Sequence, residues 1–205
     1  MGIVGGAKIS SKIGLLKLLV KKLDKLALGG KVAEVFLACK KNYLFNSEAI
    51  KSTEDIDEIV ATATSYNCEL IVPVDFSCSD SEAFSENPSF LDKHTILDIG
   101  SETVKLFKKH IAESKMIFWN GALGIFEQTP FDFGTRTISQ FIAEKTRKNK
   151  LLSIVGGGDT LFALKKFGLT ENMSHVSSAG GALLYYLSSG DCPALEAIRG
   201  RQDTF

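Results

Sequence analysis

Cysteine is scarce and unpatterned in this chain, which has four cysteines among 205 residues. Cys39, Cys68, Cys78 and Cys192 are scattered, form no C-x-x-C pair and have no histidine at ligand spacing. Disulfide frameworks and structural zinc sites both depend on such spacing, so neither is expected here. The sequence instead predicts buried, reduced thiols.

Long apolar runs and an excess of either charge are also missing. No apolar run reaches the roughly 18 residues of a membrane span, and the first residues lack the basic start and apolar stretch of a signal peptide. Basic and acidic residues number 24 each, so the formal net charge is zero. Bulk attraction to nucleic acid or to an anionic membrane is therefore not indicated. We expect a cytoplasmic protein that binds neither.

Apolar, β-prone runs alternate with helix-like runs along the chain. Strands are predicted at residues 25–28, 70–74, 116–119, 151–155 and 175–177, and Asp75 is expected to close the second of them. Helices are predicted from a cap at Ser10 or Ser11 to Leu23, and over residues 32–41, 52–66, 102–112, 135–148 and 160–167. The stretch 76–93 indicates a hairpin or an irregular excursion. This order predicts a single α/β domain with a three-layer, doubly wound, mostly parallel, Rossmann-like sheet.

Three glycine-rich turns each join a β-prone run to a helix-like run. They are Gly5-Gly6-Ala7-Lys8, Gly156-Gly157-Gly158-Asp159-Thr160 and Ala179-Gly180-Gly181-Ala182. Backbone N–H groups at such a turn, with the positive end of a helix, close on phosphate. All three turns follow strands, and ligands of parallel sheets bind beyond the carboxyl ends of the strands. The turns therefore predict a shared nucleotide-phosphate site.

Polar residues at these turns leave two interpretations open. Lys8 and Lys12 are predicted to share one face at the start of a helix, where a cation is unfavourable unless an anion binds; they are otherwise solvated lysines. Asp159 is either a helix N-cap or a Mg²⁺ ligand beside phosphate. Thr160 either bonds phosphate or only begins its helix. Glu127 either bonds ribose or is merely exposed.

Other catalytic classes have little support in the sequence. The three histidines carry no partner pattern that indicates acid–base catalysis. The G-x-G-x-x-G fingerprint of dinucleotide oxidoreductases does not occur in its strand-to-helix context. Trp119, which is flanked by strand residues, is predicted to lie in the core.

Several segments together resemble phosphoglycerate kinases. The segment Gly5-Gly6-Ala7-Lys8-Ile9-Ser10-Ser11-Lys12-Ile13 is similar to GGAKVSDKI of that family, and residues 119–127 (WNGALGIFE) to WNGPMGVFE. Residues 156–160 resemble GGGDS/T, and residues 174–182 resemble SHVSTGGGA. Pro73-Val74-Asp75 and Leu97-Asp98-Ile99-Gly100 match as well. The motifs occur in family order across nearly the whole chain.

The resemblance covers only the C-terminal, nucleotide-binding half of that two-domain kinase, here residues 1–205. It implies a phosphotransferase of glycolysis that moves a phosphoryl group between 1,3-bisphosphoglycerate and ADP, with Mg-ATP or Mg-ADP as nucleotide. The half that binds 3-phosphoglycerate through arginines and a histidine has no counterpart here. The resemblance therefore implies a monomer with little or no activity on its own. The alternative is a non-catalytic nucleotide-binding or interaction module.

The resemblance also implies roles for individual residues. Lys12 would stabilise the transferring phosphoryl group, and Asp159 would hold the magnesium. Glu127 would bond the ribose. The implied catalytic residues are Lys12, Gly158 and Gly181, with Gly180 also offering its N–H group. The implied nucleotide-binding residues are Gly5, Gly6, Lys8, Lys12, Gly29, Gly30, Gly100, Asn120, Ala122, Ile125, Glu127, Gly156, Gly157, Gly158, Asp159 and Thr160.

Four positions depart from the family pattern. Lys31 stands where the family usually has a glycine at the edge of the adenine cleft, and it adds bulk and charge there. Ala122 replaces a proline that would stiffen the turn. Leu123 replaces a methionine, and Ala179 replaces the first glycine of the last turn.

Overall fold

The structure, a computed structural model, describes residues 1–40, 47–79, 82–84 and 95–178. The strands are β1 (Gly2–Val4), β2 (Lys25–Leu28), β3 (Glu69–Ile71), β4 (Asp75–Cys78), β5 (Glu82–Phe84), β6 (Ile96–Ile99), β7 (Met116–Asn120), β8 (Leu152–Gly156) and β9 (His175–Ser177). The helices are α1 (Ile13–Leu19), α2 (Gly30–Lys40), α3 (Ser47–Ser65), α4 (Ser101–Glu113), α5 (Phe133–Arg147) and α6 (Gly158–Lys166). A short 3₁₀ turn (Thr170–Asn172) precedes β9.

Six of the strands form one parallel sheet in the order β3-β2-β1-β7-β8-β9. Successive side chains of a strand point to opposite faces, and both faces are apolar here. Val4 and Phe118 pack with α1, α2 and α3 on one face. Ile3 and Trp119 pack with α4, α5 and α6 on the other. The predicted three-layer α/β fold is therefore confirmed, and Trp119 is fully buried as expected.

The middle of the chain differs from the sequence prediction. The strand predicted at 70–74 is wrong in its boundaries, because β3 ends at Ile71 and Asp75 begins a new strand instead of closing one. β4 pairs antiparallel with β5 and with β6, which makes a small second sheet. For residues 76–93 the prediction was a hairpin or an irregular excursion, and the antiparallel pairing of β4 with β5 agrees with the first of these. Much of 76–93 lies outside the described residues.

The first helix is also shorter than predicted, and its cap is different. α1 begins at Ile13 and ends at Leu19, with Lys12 in the N-cap position. The predicted serine cap is wrong, because the Ser11 hydroxyl donates to the Lys8 carbonyl and no side chain caps the helix. Lys8 therefore lies in the turn before the helix, and it does not share a helical face with Lys12.

Three cysteines lie in the described part of the chain, and all of them are buried, as expected: Cys39, Cys68 and Cys78. Cys192 lies outside it. Within the same residues, no helix has both the length and the apolar character that a membrane crossing requires.

Two backbone segments, the turn after β1 and the loop after β7, cross in close contact. The N–H of Gly5 donates to the carbonyl of Asn120 (3.0 Å), and the N–H of Gly6 donates to that of Ala122 (2.8 Å). A Cβ on Gly5 would lie 2.1 Å from the Ala122 oxygen, and one on Gly121 would lie 2.2 Å from the Gly5 oxygen. Only glycine fits at both positions, and the crossing fixes the first glycine turn beside the loop after β7.

Asp75 supplies the N-terminal cap that α4 lacks locally. The N-cap residue of α4 is Gly100, which has no side chain. Asp75 accepts instead from the Glu102 N–H (2.9 Å), the Thr103 N–H (2.7 Å) and the Thr103 hydroxyl (2.6 Å). A buried carboxylate at a helix N-terminus is favourable, because it satisfies free N–H groups and meets the positive end of the dipole.

We predict that Asp75→Ala lowers the free energy of unfolding by about 2 kcal/mol, because the buried Thr103 N–H and the part-buried Glu102 N–H lose their charged acceptor. Urea unfolding followed by circular dichroism measures the loss. Glu54→Ala, at an exposed carboxylate of α3, is the control and should change stability by less than about 0.5 kcal/mol. Equal effects of the two substitutions would refute the capping role.

Candidate functional site

A cavity of about 420 Å³ opens at the carboxyl edge of the parallel sheet. One wall comes from the second sheet and is largely apolar, with Phe76, Ile96 and Ile99. The facing elements are the turn after β1, the start of α2, the loop after β7 and the start of α6. The cavity therefore lies where ligands of parallel α/β sheets bind.

The cavity joins residues that are far apart in the sequence. Six of the residues predicted to bind a nucleotide line it: Gly6, Gly30, Ala122, Ile125, Glu127 and Asp159. Ile125 and Glu127 are exposed at its rim, and Phe126 between them is buried. The first two glycine turns and the loop after β7 thus meet at one edge, as their positions after strands predicted.

Several other predicted residues lie behind the cavity. Gly5 is at the backbone crossing with Gly121. A Cβ on Gly29 would lie 2.4 Å from Leu123, and one on Gly100 would lie 2.2 Å from the Asp75 carboxylate. The structure thus gives Gly5, Gly29 and Gly100 a packing reason to be glycine, and their contact with a nucleotide stays a prediction.

Lys12 connects the first glycine turn to the second through Asn120. The Lys12 ammonium donates to Asn120 Oδ1 (2.5 Å), and Asn120 Nδ2 donates to the Gly156 carbonyl (3.0 Å). Asn120 is the last residue of β7 and is buried, so it holds the lysine at a fixed point of the edge. Lys8 is exposed in the preceding turn.

The Lys12 cation is partly removed from water. Burial lowers the pKa of its ammonium, and the nearby Asp159 carboxylate opposes that shift. A partly desolvated cation interacts more strongly with an anion than a solvated one does, because the local dielectric is lower. Lys12 is therefore suited to stabilise phosphate charge.

Asp159 is the second residue of α6 and lines the cavity. The interpretation as an N-cap is wrong, because Gly157 occupies that position with φ at +95° and no side chain caps the helix. Among the described residues, no hydrogen bond or ion pair engages the Asp159 carboxylate. Those residues also contain no cluster of three or more His, Cys, Asp or Glu side chains that would form a metal site alone. One exposed carboxylate fits Mg²⁺, which takes one or two carboxylates together with phosphate oxygens and water.

The remaining residues of the second turn have different surroundings. Thr160 is buried, and its hydroxyl accepts a hydrogen bond from the Gly121 N–H (2.6 Å). This contact holds the loop after β7 against the start of α6. A Cβ on Gly158 would meet no atom within 4 Å. Packing therefore does not require glycine at 158, whereas close approach of a ligand would. Gly180 and Gly181 lie outside the described residues.

Asp98 is a cavity residue for which no role was predicted. It is almost fully buried, and its carboxylate accepts from the Ile99 N–H (2.8 Å) and the Gly134 N–H (2.6 Å). Burial raises its pKa to about 7, against the opposing effect of these two hydrogen bonds, and the nearby buried Asp132 raises it further. In the sequence, this residue was indicated only by the motif Leu97-Asp98-Ile99-Gly100, which resembles the family.

Lys31 also lines the cavity, and it forms an ion pair with Glu34 one turn further along α2. The lysine side chain is 40% exposed and the glutamate 8%. The lysine that replaces a family glycine thus has a partner within its own helix, which the sequence did not indicate.

Comparison with known proteins shows one family. The profile described as Phosphoglycerate kinase matches residues 1–190. A phosphoglycerate kinase of Wolbachia sp. subsp. Drosophila simulans (strain wRi) is 40% identical over 98% of this chain and 52% of its own length. A phosphoglycerate kinase of Orientia tsutsugamushi (strain Boryong) is 40% identical over 96% of this chain and 51% of its own length. The chain therefore spans about half the length of the curated relatives it matches.

Solved structures agree with this match. The phosphoglycerate kinase of Coxiella burnetii superposes with a TM-score of 0.82 at 35% identity, over 98% of this chain and 52% of its own. The enzyme of Pyrococcus horikoshii OT3 superposes with a TM-score of 0.83 at 24% identity, which supports the fold alone.

We predict that the Asp98 carboxyl titrates near neutral pH. Its pKa in the folded chain, about 7, exceeds the unfolded value of 3.8, so the folded state holds the proton more tightly. The free energy of unfolding should therefore fall as pH rises from about 4 to about 7. A carbon-13 NMR titration of the side chain measures the midpoint directly, and a midpoint below about 5 would contradict the prediction. Asp98→Asn should remove this part of the pH dependence.

Proposed function

This chain belongs to the phosphoglycerate kinase family, and we propose that it is the nucleotide-binding half of such a kinase. The cavity at the carboxyl edge would take Mg-ADP or Mg-ATP. The observation that carries the proposal is the meeting of Lys12, Asn120 and Asp159 beside a largely apolar wall. A planar base suits that wall, and a phosphate chain suits the cation and the glycine turns.

The proposed reaction is the reversible transfer of a phosphoryl group between 1,3-bisphosphoglycerate and ADP, a step of glycolysis in the cytoplasm. Transfer of this kind needs positioning and charge neutralisation more than covalent chemistry. Bound magnesium would supply positive charge to the phosphates, and Asp159 is the residue that would hold it.

The side chains of this half would act mainly by position. Lys12 would meet the charge that develops on the phosphoryl oxygens, while Asn120 fixes where its ammonium lies. The start of α6, with no side chain at Gly158, would let phosphate approach the free N–H groups of the helix. Ile125 and Glu127 would border the base and the ribose at the rim.

The chain alone would turn over little or not at all. The acyl phosphate would be held by the other half of a full-length kinase, and closure of the two halves would exclude water from the reacting groups. We propose that the isolated chain is a monomer that binds the nucleotide weakly. The half-length match also keeps open a second candidate, a nucleotide-binding or interaction module without catalysis.

We predict that the folded chain binds Mg-ADP, and that Asp159→Asn weakens binding about tenfold in the presence of magnesium and little in its absence. Titration calorimetry with ADP, with and without Mg²⁺, measures both constants. Asp57→Asn, at an exposed carboxylate of α3, is the matched control and should leave both unchanged. Unchanged magnesium dependence in Asp159→Asn would remove the metal role, and absence of binding by the folded wild-type chain would remove the proposed function.

A further prediction concerns turnover with a separately expressed N-terminal half of a relative. The mixture should recover kinase activity in a coupled assay, and Lys12→Met should lower kcat at least about 100-fold while changing nucleotide affinity by less than about threefold. Lys21→Met, at an exposed lysine after α1, controls for loss of charge.

Each result of the mixing experiment decides between the two candidates. Recovered turnover that depends on Lys12 supports the kinase half. Intact nucleotide binding without recovered turnover supports the module. Equal losses of kcat and affinity in Lys12→Met would contradict a role in the transition state.

A further inference from the structure

The first part of the loop after β7 is tied to neighbouring elements through its backbone. The Ala122 carbonyl accepts from the Gly6 N–H (2.8 Å), and the Ile125 N–H donates to the Leu97 carbonyl of β6 (2.8 Å). Within the described part of the chain, residues 126–128 form no backbone–backbone hydrogen bond with another element. These residues include Glu127, which lies at the rim of the cavity. A side-chain contact therefore has to fix this part of the rim.

The Lys166 side chain of α6 supplies that contact. Its ammonium donates to the Phe126 carbonyl (2.8 Å) and to the Glu127 carbonyl (3.0 Å). These two carbonyls belong to the peptide groups on either side of the Glu127 Cα. Because each peptide group is planar, holding both carbonyls fixes both planes. Lys166 thereby sets the direction in which the Glu127 side chain leaves the backbone.

The Lys166 ammonium is not needed at the end of its own helix. There the Gly168 N–H donates to the Lys165 carbonyl (3.1 Å), and the Leu169 N–H donates to the Leu164 carbonyl (2.9 Å). Gly168 has φ at +67°, as this type of helix end requires. Lys165 is also exposed in the last turn, yet no described residue forms a hydrogen bond or ion pair with its side chain. The position in the helix alone therefore does not explain the contacts of Lys166.

The same face of α6 reaches from the start of the helix to the rim loop. Asp159 lines the cavity, and Phe162 and Lys166 follow it at spacings of three and seven residues, which share one helical face. The ring centroids of Phe162 and Phe126 are 6.0 Å apart, and Phe126 also packs against Ala163. α6 thus holds the rim loop by the Phe126 side chain and by the backbone bonds of Lys166.

We propose that Lys166 is a positioning residue for recognition of the ribose. It holds the backbone on both sides of Glu127, so that the two carboxylate oxygens of Glu127 accept from the two neighbouring ribose hydroxyls. Lys166 itself does not touch the nucleotide. Through this contact α6 carries the Asp159 carboxylate and also fixes the Glu127 carboxylate. The inference rests on the proposed nucleotide function and adds the residue that aligns its ribose contact.

The test compares Mg-ADP with magnesium-bound dideoxy-ADP, which lacks both ribose hydroxyls, by titration calorimetry on the folded chain. The wild-type chain should bind Mg-ADP about tenfold more tightly, the factor expected for hydrogen bonds to a carboxylate. Lys166→Met should lower this preference to about threefold or less, by weakening Mg-ADP while the affinity for dideoxy-ADP stays within about twofold. Lys165→Met, at the exposed neighbouring lysine, is the matched control for loss of charge and should keep the wild-type preference.

A double-mutant cycle distinguishes positioning from structural support. Glu127→Ala alone should also lower the preference, and adding Lys166→Met to it should lower the preference no further, because both substitutions remove the same contact. A merely structural role of Lys166 would instead lower thermal stability and weaken both ligands by the same factor. Circular dichroism checks that the variants are folded, as expected for substitutions at exposed side chains.

The outcomes separate this inference from the function on which it rests. A wild-type preference in Lys166→Met overturns the positioning role, and so do additive losses in the double variant. A wild-type chain that binds the two ligands equally overturns ribose recognition by Glu127, and the inference with it. A folded wild-type chain that binds neither nucleotide overturns the proposed function itself.

Discussion

The site depends on one close crossing of backbone, between the turn after β1 and the loop after β7. Gly5 and Gly121 approach each other so closely that no side chain fits at either position. The crossing sets Gly6 and Ala122 side by side at the cavity, and it brings Asn120 within reach of Lys12. A bulkier residue at the crossing would separate the two loops, and the cation would lose its fixed position.

Opposite charges at this edge give the cavity its chemical character. Lys12 is partly desolvated and attracts anions, and the Asp159 carboxylate nearby suits a divalent cation. Phosphate with magnesium satisfies both groups at once, which neither a free anion nor a free metal ion would do. The wall with Phe76 and Ile96 adds apolar surface for a base. These features together support the proposal that the cavity takes a whole nucleotide.

Sequence patterns predicted the parts of this site that depend on local signals. Glycine turns after apolar runs predicted the edge where Gly6 and Asp159 meet, because turn chemistry and the end of a strand are encoded locally and the carboxyl ends of parallel strands share one edge. The serine cap of α1 and the strand end at Asp75 were wrong, since tertiary contacts decided both. The buried Asp98 and the partner of Lys31 were missed, because burial and side-chain pairing follow from packing that no single segment reveals.

The most direct test of the site is a map of backbone amide NMR shifts during titration of the chain with Mg-ADP. We expect the largest shifts at Gly6, Lys31, Ile125 and Asp159, around the cavity at the carboxyl edge. A second cavity of about 370 Å³ lies at the amino ends of the strands, beside Met1 and Lys25. Shifts confined to that opposite edge would contradict the account.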